Sequence, residues 1–396
     1  MAQDPGQAAQ ARWLGAAQLI GVLRSEPGIT RAAAAQRLGI GSGSATELVA
    51  RLRQSRLLDE TPAPAQGRGR PTTVLGPHGD GPLVLAADLR AADWRLAVAA
   101  IDGLPQVVAQ AGCAGEDLDV VLSALADAIG TVYRRKAKRL RAIAISVAGT
   151  ISGAKLVQFT SRGWHDVDLS VLTKKIPDRA GVRLLLGNDA TLSGLAEART
   201  GAARSAATAL HLIVAEGIGG TLVVNGEPLA GAHGAAGEYG HIPFGDAALE
   251  CPCGARGCWD LTVDGRALAR HRGDSPPDDP VGYVHDLRAG KRDAATRRAF
   301  DTVAASLGRG IGGLVNLHDP DVVTLGGVAA LLRETAVDVF DSAYRDGLMA
   351  FRKDFPPPVR DAEHGEDGPL YGAVTLALDH VTSAAGLADW AERQRI

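Results

Sequence analysis

The chain has 396 residues, of which 46% are hydrophobic and 22% charged, values that are ordinary for a globular protein of two or three domains. No apolar run approaches the roughly 20 residues that a membrane-spanning helix needs, and residues 1–5 lack the basic and apolar regions of a signal peptide. These features predict a cytoplasmic protein without a membrane partner. In that compartment its thiols would stay reduced.

The net charge of −3 is divided unevenly along the chain. Residues 1–75 contain nine arginines and five acidic residues, a net charge of +4, and the remaining residues carry a net charge of −7. A basic N-terminal segment on an acidic body indicates contact with a polyanion at one end of the molecule. Charge alone does not establish this contact, because basic segments also serve as plain solvated surface.

The N-terminal segment predicts three short helices followed by two strands. Apolar residues recur with the helical period, Thr30 is a suitable N-cap for the second helix, and a glycine turn precedes the third. The predicted helices cover 9–24, 31–38 and 42–55 (beginning at 42 or 44), and the predicted strands cover 56–58 and 70–75. This order is the outline of a winged helix-turn-helix, which we assign to residues 1–75.

In a winged helix-turn-helix the third helix enters the major groove of DNA with its N-terminal half. That placement brings small or acidic side chains to the base edges and makes Arg51 and Arg53 candidates for phosphate contacts. The glycine- and arginine-rich wing tip places two arginines where they can enter a narrow minor groove. The predicted DNA-contacting residues are Ser42, Ser44, Thr46, Glu47, Arg51, Arg68 and Arg70. The alternative is a small helical cap without a DNA role.

From residue 82 onward the pattern alternates between strands and helices. The predicted strands cover 83–88, 94–101, 142–147, 184–186, 209–214, 221–226 and 322–327, and the predicted helices cover 118–138, a segment ending at 198, 329–349 and 370–393. Residues 217–220 are predicted to form a glycine turn before one of these strands. The alternation predicts an α/β architecture with a mixed sheet.

One imidazole and three sulfurs fall within an 18-residue stretch, with the spacing His-x9-Cys-x-Cys-x4-Cys. This is a complete set of four ligands for tetrahedral zinc, and it leaves no open position for water, so the predicted role of the metal is structural. The predicted ligands are His241, Cys251, Cys253 and Cys258. An odd number of cysteines beside a histidine favours a metal over a disulfide. The alternative is a loop of reduced cysteines without a metal.

With these motifs the chain resembles the winged-helix repressor branch of the ROK family (repressors, open reading frames and sugar kinases). The resemblance covers nearly the whole chain and rests on the zinc motif, on the stretch Gly-Ala-Ala-Gly-Glu-Tyr-Gly-His at 234–241 and on Asn188-Asp189. It implies a two-lobed, actin-like ATPase (ribonuclease H-like) fold after the winged helix. The expected small lobe covers 76–196 together with a C-terminal helix at 385–396, and the expected large lobe covers 197–384 with the zinc motif.

The resemblance also implies a sugar pocket in the cleft between the lobes. Its expected residues are Asn188, Asp189, Glu238 and His241, with Ser161 and Asp260 at positions where the family has Asn and Glu. A zinc-bound His241 can donate to a ligand with its second ring nitrogen, and in family kinases the aspartate at the position of Asp189 is the general base. Taken alone, Asn188-Asp189 favours a turn at a strand end, and the other motifs of the resemblance reverse this preference.

The chain departs from the kinase pattern in its first phosphate loop. Family kinases have Asp-x-Gly-Gly-Thr after the first strand, whereas here residues 88–93 read Asp-Leu-Arg-Ala-Ala-Asp, although a second glycine turn at 216–220 is present. We therefore expect no use of ATP and no catalytic residue; Asp189 is catalytic only if the protein is a kinase. Because Ser161 and Asp260 differ from the family pattern, a modified sugar, a sugar phosphate and an unrelated metabolite all remain open as ligands.

The predicted function is a DNA-binding transcriptional regulator, in the family's usual sense a repressor. A sugar or sugar-derived ligand would modulate its binding to a double-stranded operator. One winged helix makes few contacts, so a homodimer or tetramer on a palindromic operator is expected. The alternative is an ATP-dependent sugar kinase of the ROK type that also carries a DNA-binding domain. A third hypothesis is a scaffold that uses neither pocket.

Overall fold

The computed structural model describes residues 5–63, 73–177, 181–232, 234–291 and 293–394. The chain divides into two compact units. Unit 1 consists of Met1–Ser146, Asp168–Gly187 and Ala373–Ile396, and unit 2 consists of Val147–Val167 and Asn188–Gly372. The three-domain division predicted above remains a proposal. Within the described ranges, no helix is both long enough and apolar enough to cross a membrane.

Unit 1 begins with three helices and a two-stranded antiparallel sheet. These elements are α1 (Pro5–Ser25), α2 (Arg31–Leu38), α3 (Ser42–Gln54), β1 (Leu58–Pro62) and β2 (Thr73–Pro77). The predicted N-cap of α2 is confirmed, because the Thr30 hydroxyl accepts from the backbone N–H of Ala33 at 3.2 Å. The first strand begins at Leu58 rather than at Arg56, since Arg56 has a φ of 54°, which lies outside the β region.

The rest of unit 1 is built around a five-stranded sheet with the order β10-β6-β3-β4-β5. Its strands are β3 (Leu83–Leu89), β4 (Asp93–Ala99), β5 (Gln106–Gly112), β6 (Leu140–Val147) and β10 (Arg183–Asn188). Strands β3, β4 and β5 form an antiparallel meander. Strand β3 is buried at every position, as expected of a central strand covered on both faces. Helix α4 (Leu118–Lys136) links β5 to β6.

Unit 2 contains a second five-stranded sheet, with the order β13-β12-β11-β14-β15, and a three-stranded sheet, β7-β8-β9. The strands are β7 (Thr150–Ser152), β8 (Lys155–Phe159), β9 (Trp164–Asp168), β11 (Thr208–Val214), β12 (Ile218–Val224), β13 (Glu227–Pro228), β14 (Val322–Gly327) and β15 (Val359–Asp361). On one side of β11 the pairing is antiparallel, and on the other side β14 and β15 run parallel to it.

The two five-stranded sheets share one strand order. When the strands are numbered within each sheet along the chain, both sheets read 3-2-1-4-5. In each sheet the first three strands follow one another directly, and helices separate the third strand from the fourth. The mixed α/β architecture predicted from the sequence is thus confirmed.

Within its described residues, unit 2 also contains helices. They are α5 (Asp189–Arg199), α6 (Gly265–Arg272), α7 (Pro280–Ala289), α8 (Ala294–His318), α9 (Ala329–Thr335), α10 (Val337–Gly347) and α11 (Ala350–Lys353). Helix α8 buries Phe300, Leu307 and Ile311 in the core of this unit, together with Phe340 of α10. The single helix predicted over 329–349 is interrupted at Ala336, whose φ of −141° and ψ of 54° are not helical.

The long C-terminal helix predicted over 370–393 is also two helices, α12 (Gly368–Val381) and α13 (Ala384–Arg393). The break occurs because Ser383 is the N-cap of α13 and accepts from the backbone N–H of Gly386 at 3.1 Å.

The prediction of a glycine turn over 217–220 is wrong for residues 218–220, which belong to β12. Gly219 pairs with Ile213 and Gly220 with Leu212 across the antiparallel ladder. A Cβ at Gly220 would lie 2.6 Å from the Tyr239 ring. These glycines therefore allow close packing inside a strand rather than a reversal of the chain.

A buried polar network lies in unit 2 between β11, β14 and α5. Nδ1 of His211 lies 2.9 Å from the hydroxyl of Thr324, and both residues are buried. The buried carboxylate of Glu197 accepts three backbone N–H groups, including that of His364 at 2.9 Å. Burial lowers the pKa of His211 to about 4, although the nearby Glu197 carboxylate opposes this shift. Burial also lowers the pKa of His364.

We expect this network to make stability depend on pH between about 4 and 6.5. In that window the unfolded chain binds a proton at His211 and the folded chain does not, so the stability falls as the pH falls. Thermal unfolding at pH 7.5 and pH 5 should show a smaller acid shift for His211→Asn than for the wild type. His165→Asn, which removes an exposed imidazole of the same unit, should keep the wild-type shift. Equal acid shifts in His211→Asn and the wild type would contradict the assignment.

Candidate metal centre and adjoining polar site

The four predicted metal ligands lie together in unit 2. One ligand atom from each of His241, Cys251, Cys253 and Cys258 lies within 4.8 Å of the others. The Cys253 and Cys258 sulfurs are 3.7 Å apart, and the Cys251 sulfur is 3.8 Å from Nδ1 of His241. Two sulfurs bound at about 2.3 Å to one tetrahedral zinc lie about 3.8 Å apart, so the donor set fits such an ion. The cluster can therefore hold a metal.

The protein core holds one side of this cluster in place. Trp259, which directly follows the last ligand, is fully buried, and its indole N–H donates to the Ser306 carbonyl of α8 at 3.2 Å. Its backbone N–H donates to the Ile242 carbonyl at 2.9 Å, which ties the two ends of the ligand loop together. The positions of His241 and Cys258 are thus set by packing against α8.

Burial raises the pKa of the Cys258 thiol to about 12 and also raises that of Cys251. Thiols with raised pKa values stay protonated at neutral pH unless a cation stabilises the thiolates. A metal ion supplies that stabilisation, and its binding releases the protons.

The second nitrogen of His241 faces away from the sulfurs. Nε2 lies 4.0 Å from Oε2 of Glu238, and Oε1 of Glu238 accepts from the hydroxyl of Thr150 at 3.1 Å. A metal at Nδ1 leaves the proton of the neutral ring on Nε2, where it is available to a carboxylate or to a ligand. The imidazole therefore joins the metal cluster to a polar surface.

Asp260 lies behind this surface against the start of β12. Its carboxylate accepts from the backbone N–H of Ile218, and a Cβ at Gly217 would lie 2.6 Å from the carboxylate oxygens. A Cβ at Gly240 would likewise lie 2.7 Å from the same group. Burial raises the pKa of Asp260, and the Ile218 N–H and His241 partly offset this shift. The two glycines let the chain pass close to the carboxylate.

Asn188 is the N-cap of α5. Its side-chain oxygen accepts from the Thr191 N–H at 3.1 Å, and its amide donates to the Gly149 carbonyl at 3.2 Å and to Asp189 at 2.9 Å. Asp189 also accepts from the N–H of Ala190 at 2.8 Å. Asn188 and Asp189 therefore form the turn at the end of β10, and they also place an amide and a carboxylate beside Gly149.

The structure links most of the predicted pocket residues and leaves one apart. Gly149 and Thr150, which the sequence did not single out, connect Asn188 to Glu238 and so to His241. Ser161 lies exposed on the 3-10 helix Thr160–Arg162, and no contact shown for the described residues joins it to Glu238. In the sequence, the single feature that pointed to the link between Asn188 and Glu238 is Gly149, which follows the end of a predicted strand.

The predicted DNA-contacting face of α3 is exposed at Ser42, Ser44, Thr46 and Glu47. Alanine and leucine residues on the opposite face of the helix are buried, so this face is available to a partner. The Arg51 guanidinium lies 5.9 Å from the centre of the Trp13 ring.

The other arginines predicted to contact DNA are either paired or lie outside the described residues. Arg53 forms ion pairs with Asp59 at 3.1 Å and Glu60 at 3.6 Å. The wing arginines Arg68 and Arg70 lie outside the described residues.

In unit 1, residues 90–93 form a closed turn between β3 and β4. The Arg90 N–H donates to the Asp93 carbonyl at 2.9 Å, and the Arg90 guanidinium makes two bonds of 2.7 and 2.8 Å to the Asp93 carboxylate. The buried Asp88 accepts from Arg95 at 3.1 Å. Burial raises the pKa of Asp88, and Arg90 and Arg95 partly offset this effect.

In sequence, the chain is similar to sugar kinases and to a repressor. It is 24% identical over 277 residues to a glucokinase of Streptomyces coelicolor, covering 65% of this chain and 86% of that one. It is 32% identical over 209 residues to an N-acetyl-D-glucosamine kinase of Pectobacterium carotovorum, covering 49% and 66%. It is 28% identical over 185 residues to a xylose repressor of Bacillus subtilis, covering 46% and 47%.

Two solved structures share the fold. A ROK family transcriptional regulator, described as a homologue of the E. coli MLC protein, matches with a TM-score of 0.72 and 20% identity, covering 96% of this chain and 99% of that one. A ROK family glucokinase from Streptomyces griseus, in complex with glucose and AMPPNP, matches with a TM-score of 0.62 and 23% identity, covering 74% and 99%. The actin-like ATPase fold expected from the resemblance is confirmed. The model of the ROK family matches residues 98–380, so this chain belongs to the ROK family.

Proposed function

We propose that the protein is a DNA-binding transcriptional regulator, acting as a repressor, whose operator binding responds to a sugar-type ligand. The observation that carries the proposal is the difference in coverage between two solved structures. The glucokinase covers 74% of this chain, whereas the regulator covers 96%. Before residues 98–380, which the ROK family model matches, lies a helix-turn-helix whose α3 exposes Ser42, Ser44, Thr46 and Glu47. A metal site built from reduced cysteines is favoured in a reducing compartment, so we propose that the protein is located in the cytoplasm.

The ligand would bind at the polar site beside the metal centre. Carboxylate, amide and imidazole groups recognise hydroxyls through paired hydrogen bonds, and Glu238, His241, Asn188 and Asp189 supply them in this chain. Asp260 belongs to the proposed set as well, and Ser161, on the 3-10 helix Thr160–Arg162, belongs to it through the family resemblance alone. Relatives named for xylose, glucose and N-acetyl-D-glucosamine support a sugar as the ligand class. We propose a structural zinc at the four-ligand cluster, holding the loop that carries Glu238.

The turn at residues 90–93 supports a regulator rather than a kinase. Kinases bind phosphates through backbone N–H groups that a glycine-rich turn exposes and through a metal ion. In this chain the Arg90 N–H is bonded to Asp93, and the Arg90 side chain is bonded to the Asp93 carboxylate. A nucleotide would have to break this ion pair and displace the side chains.

The proposal is tested by selecting bound DNA from a random duplex pool with the purified protein. The selection is repeated with xylose, glucose, N-acetyl-D-glucosamine and their phosphates. We expect a palindromic operator, because two copies of the winged helix bind two half-sites, and one compound should change its enrichment. Recovery of no sequence by protein that is folded and loaded with zinc would refute the regulator.

A sugar kinase that also binds DNA is the second candidate. Asp189 favours it, because its carboxylate lies at the first turn of α5, where a general base for a sugar hydroxyl is expected from the family resemblance. We expect no phosphorylation of the same sugars by ATP above the rate of Asp189→Asn. A coupled ADP assay measures this rate, and turnover that is lost in Asp189→Asn would establish the kinase.

A further inference from the structure

The apolar core around the helix-turn-helix includes residues from the other end of the chain. Trp13, Leu23 and Leu52 pack in one cluster with Leu387 and Trp390 of α13, and Leu387 and Trp390 are at most 1% exposed. The alanines at 384, 388 and 391 lie against the same cluster, so α13 buries one whole face there. Without α13 this core would be open to water along that face.

Trp390 also makes a polar contact at the C-terminal end of α3. Its indole N–H donates to the backbone carbonyl of Ser55 at 2.8 Å, across 335 residues of sequence. Ser55 is the C-cap of α3, where carbonyl groups lack partners within the helix. The bond therefore attaches the end of α3 to α13.

Two further contacts hold this arrangement to the rest of unit 1. The Arg141 guanidinium of β6 lies 4.7 Å from the centre of the Trp390 ring, and it donates to the carbonyls of Lys138 and Leu140 at 2.8 Å. The nearly buried Arg24 of α1 pairs with Asp379 of α12 at 2.6 Å. The Trp390 ring thus packs between Arg141 of β6 and the apolar core of the helix-turn-helix.

We infer that Trp390 is a positioning residue for α3, acting through the bond from its indole N–H to the Ser55 carbonyl. This inference rests on the proposed operator binding. Trp390 does not touch DNA in this role; it fixes the angle at which the exposed face of α3 is presented. Specific binding needs side chains held within a fraction of an ångström of the base edges, whereas non-specific binding to phosphates tolerates a looser helix.

The test uses Trp390→Phe in the full-length protein, which keeps an aromatic ring and removes the N–H donor. We expect affinity for the operator recovered by selection to fall about three- to tenfold, because binding must then restore the position of α3 that the bond holds in the free protein, at a cost of up to about one hydrogen bond. Affinity for a random duplex of equal length should change less than about twofold, because phosphate contacts do not need the exact helix angle. Amide exchange at residues 51–57 should become faster in the free protein.

Trp94→Phe is the matched control, since Trp94 is a buried tryptophan of β4 in the same unit. It should leave both affinities and the exchange of residues 51–57 at wild-type values. Equal operator affinity in Trp390→Phe and the wild type, or losses in both variants that follow their thermal stability, would overturn the inference. If the wild type selects no operator, the proposed function fails; unchanged exchange at 51–57 would then separately overturn the role of Trp390.

Discussion

Cys253→Ser should not bind the zinc that we propose at the four-ligand cluster, and it should unfold at a temperature at least about 5 °C below the wild type. Three ligands hold the ion less tightly than four, and the loss removes a cross-link that closes the loop between His241 and Cys258. A loss of a few kcal/mol in a unit of this size corresponds to roughly 5–15 °C. Zinc content by elemental analysis and unfolding by calorimetry measure the two effects.

Cys113→Ser provides the control for this substitution. Cys113 is a buried cysteine of unit 1 that lies outside the four-ligand cluster, so it tests the cost of a serine without the loss of a metal ligand. Cys113→Ser should retain one zinc per chain. A chelator should lower the unfolding temperature of the wild type and of Cys113→Ser but not that of Cys253→Ser. Full zinc content and wild-type stability in Cys253→Ser would rule out this metal site.

Zinc loss should also loosen the loop that carries Glu238. The 3-10 helix Tyr239–His241 follows Glu238 directly, and His241 is one of the ligands. Faster amide exchange over residues 236–260 in Cys253→Ser, with unchanged exchange in α4, would locate the effect. Uniform acceleration across both units would instead indicate general destabilisation.

Ser44→Glu should weaken binding to the selected operator by about 30-fold or more. Ser44 is exposed in the first turn of α3, which follows the N-cap Gly41, so a carboxylate there would face the DNA phosphates and bases. Loss of one base or phosphate contact costs about 1–3 kcal/mol, and charge repulsion adds to it. Fluorescence anisotropy with a labelled duplex measures the change.

The substitution is chosen because it should not harm the fold. A negative charge in the first turn of a helix interacts favourably with the helix dipole, so the unfolding temperature should stay the same or rise slightly. Ser123→Glu places the same charge on the exposed surface of α4 and should change operator affinity by less than about threefold. If Ser44→Glu and Ser123→Glu bind DNA equally, α3 does not face the operator.

The sequence by itself determined the features that depend on residues close together in the chain. The bounds of α2 follow from the Thr30 cap and from Gly39, which ends the helix with a φ of 64°. The four metal ligands fall within 18 residues, so their spacing alone predicted a cluster that the structure brings together. The alternation of strands and helices predicted the α/β class, because helices that follow strands cover the faces of the sheet. Strands covered on both faces are continuously apolar, and this pattern is visible in the sequence.

Only the tertiary structure decided the features that depend on distant residues. Gly219 and Gly220 read as a turn, yet they pair with Ile213 and Leu212 inside β12, where Ala190 and Tyr239 leave no room for side chains. The link from Asn188 to Glu238 passes through Gly149 and Thr150, which come from a different segment.

The C-terminal helix is the largest such case. Local pattern predicted one helix over 370–393, but α12 ends at Val381, Ser383 begins α13, and α13 packs against the helix-turn-helix. The bond between Trp390 and Ser55 joins residues 335 positions apart. Local propensity carries no information about such a pair, because its free energy arises only when folding brings both residues to one core.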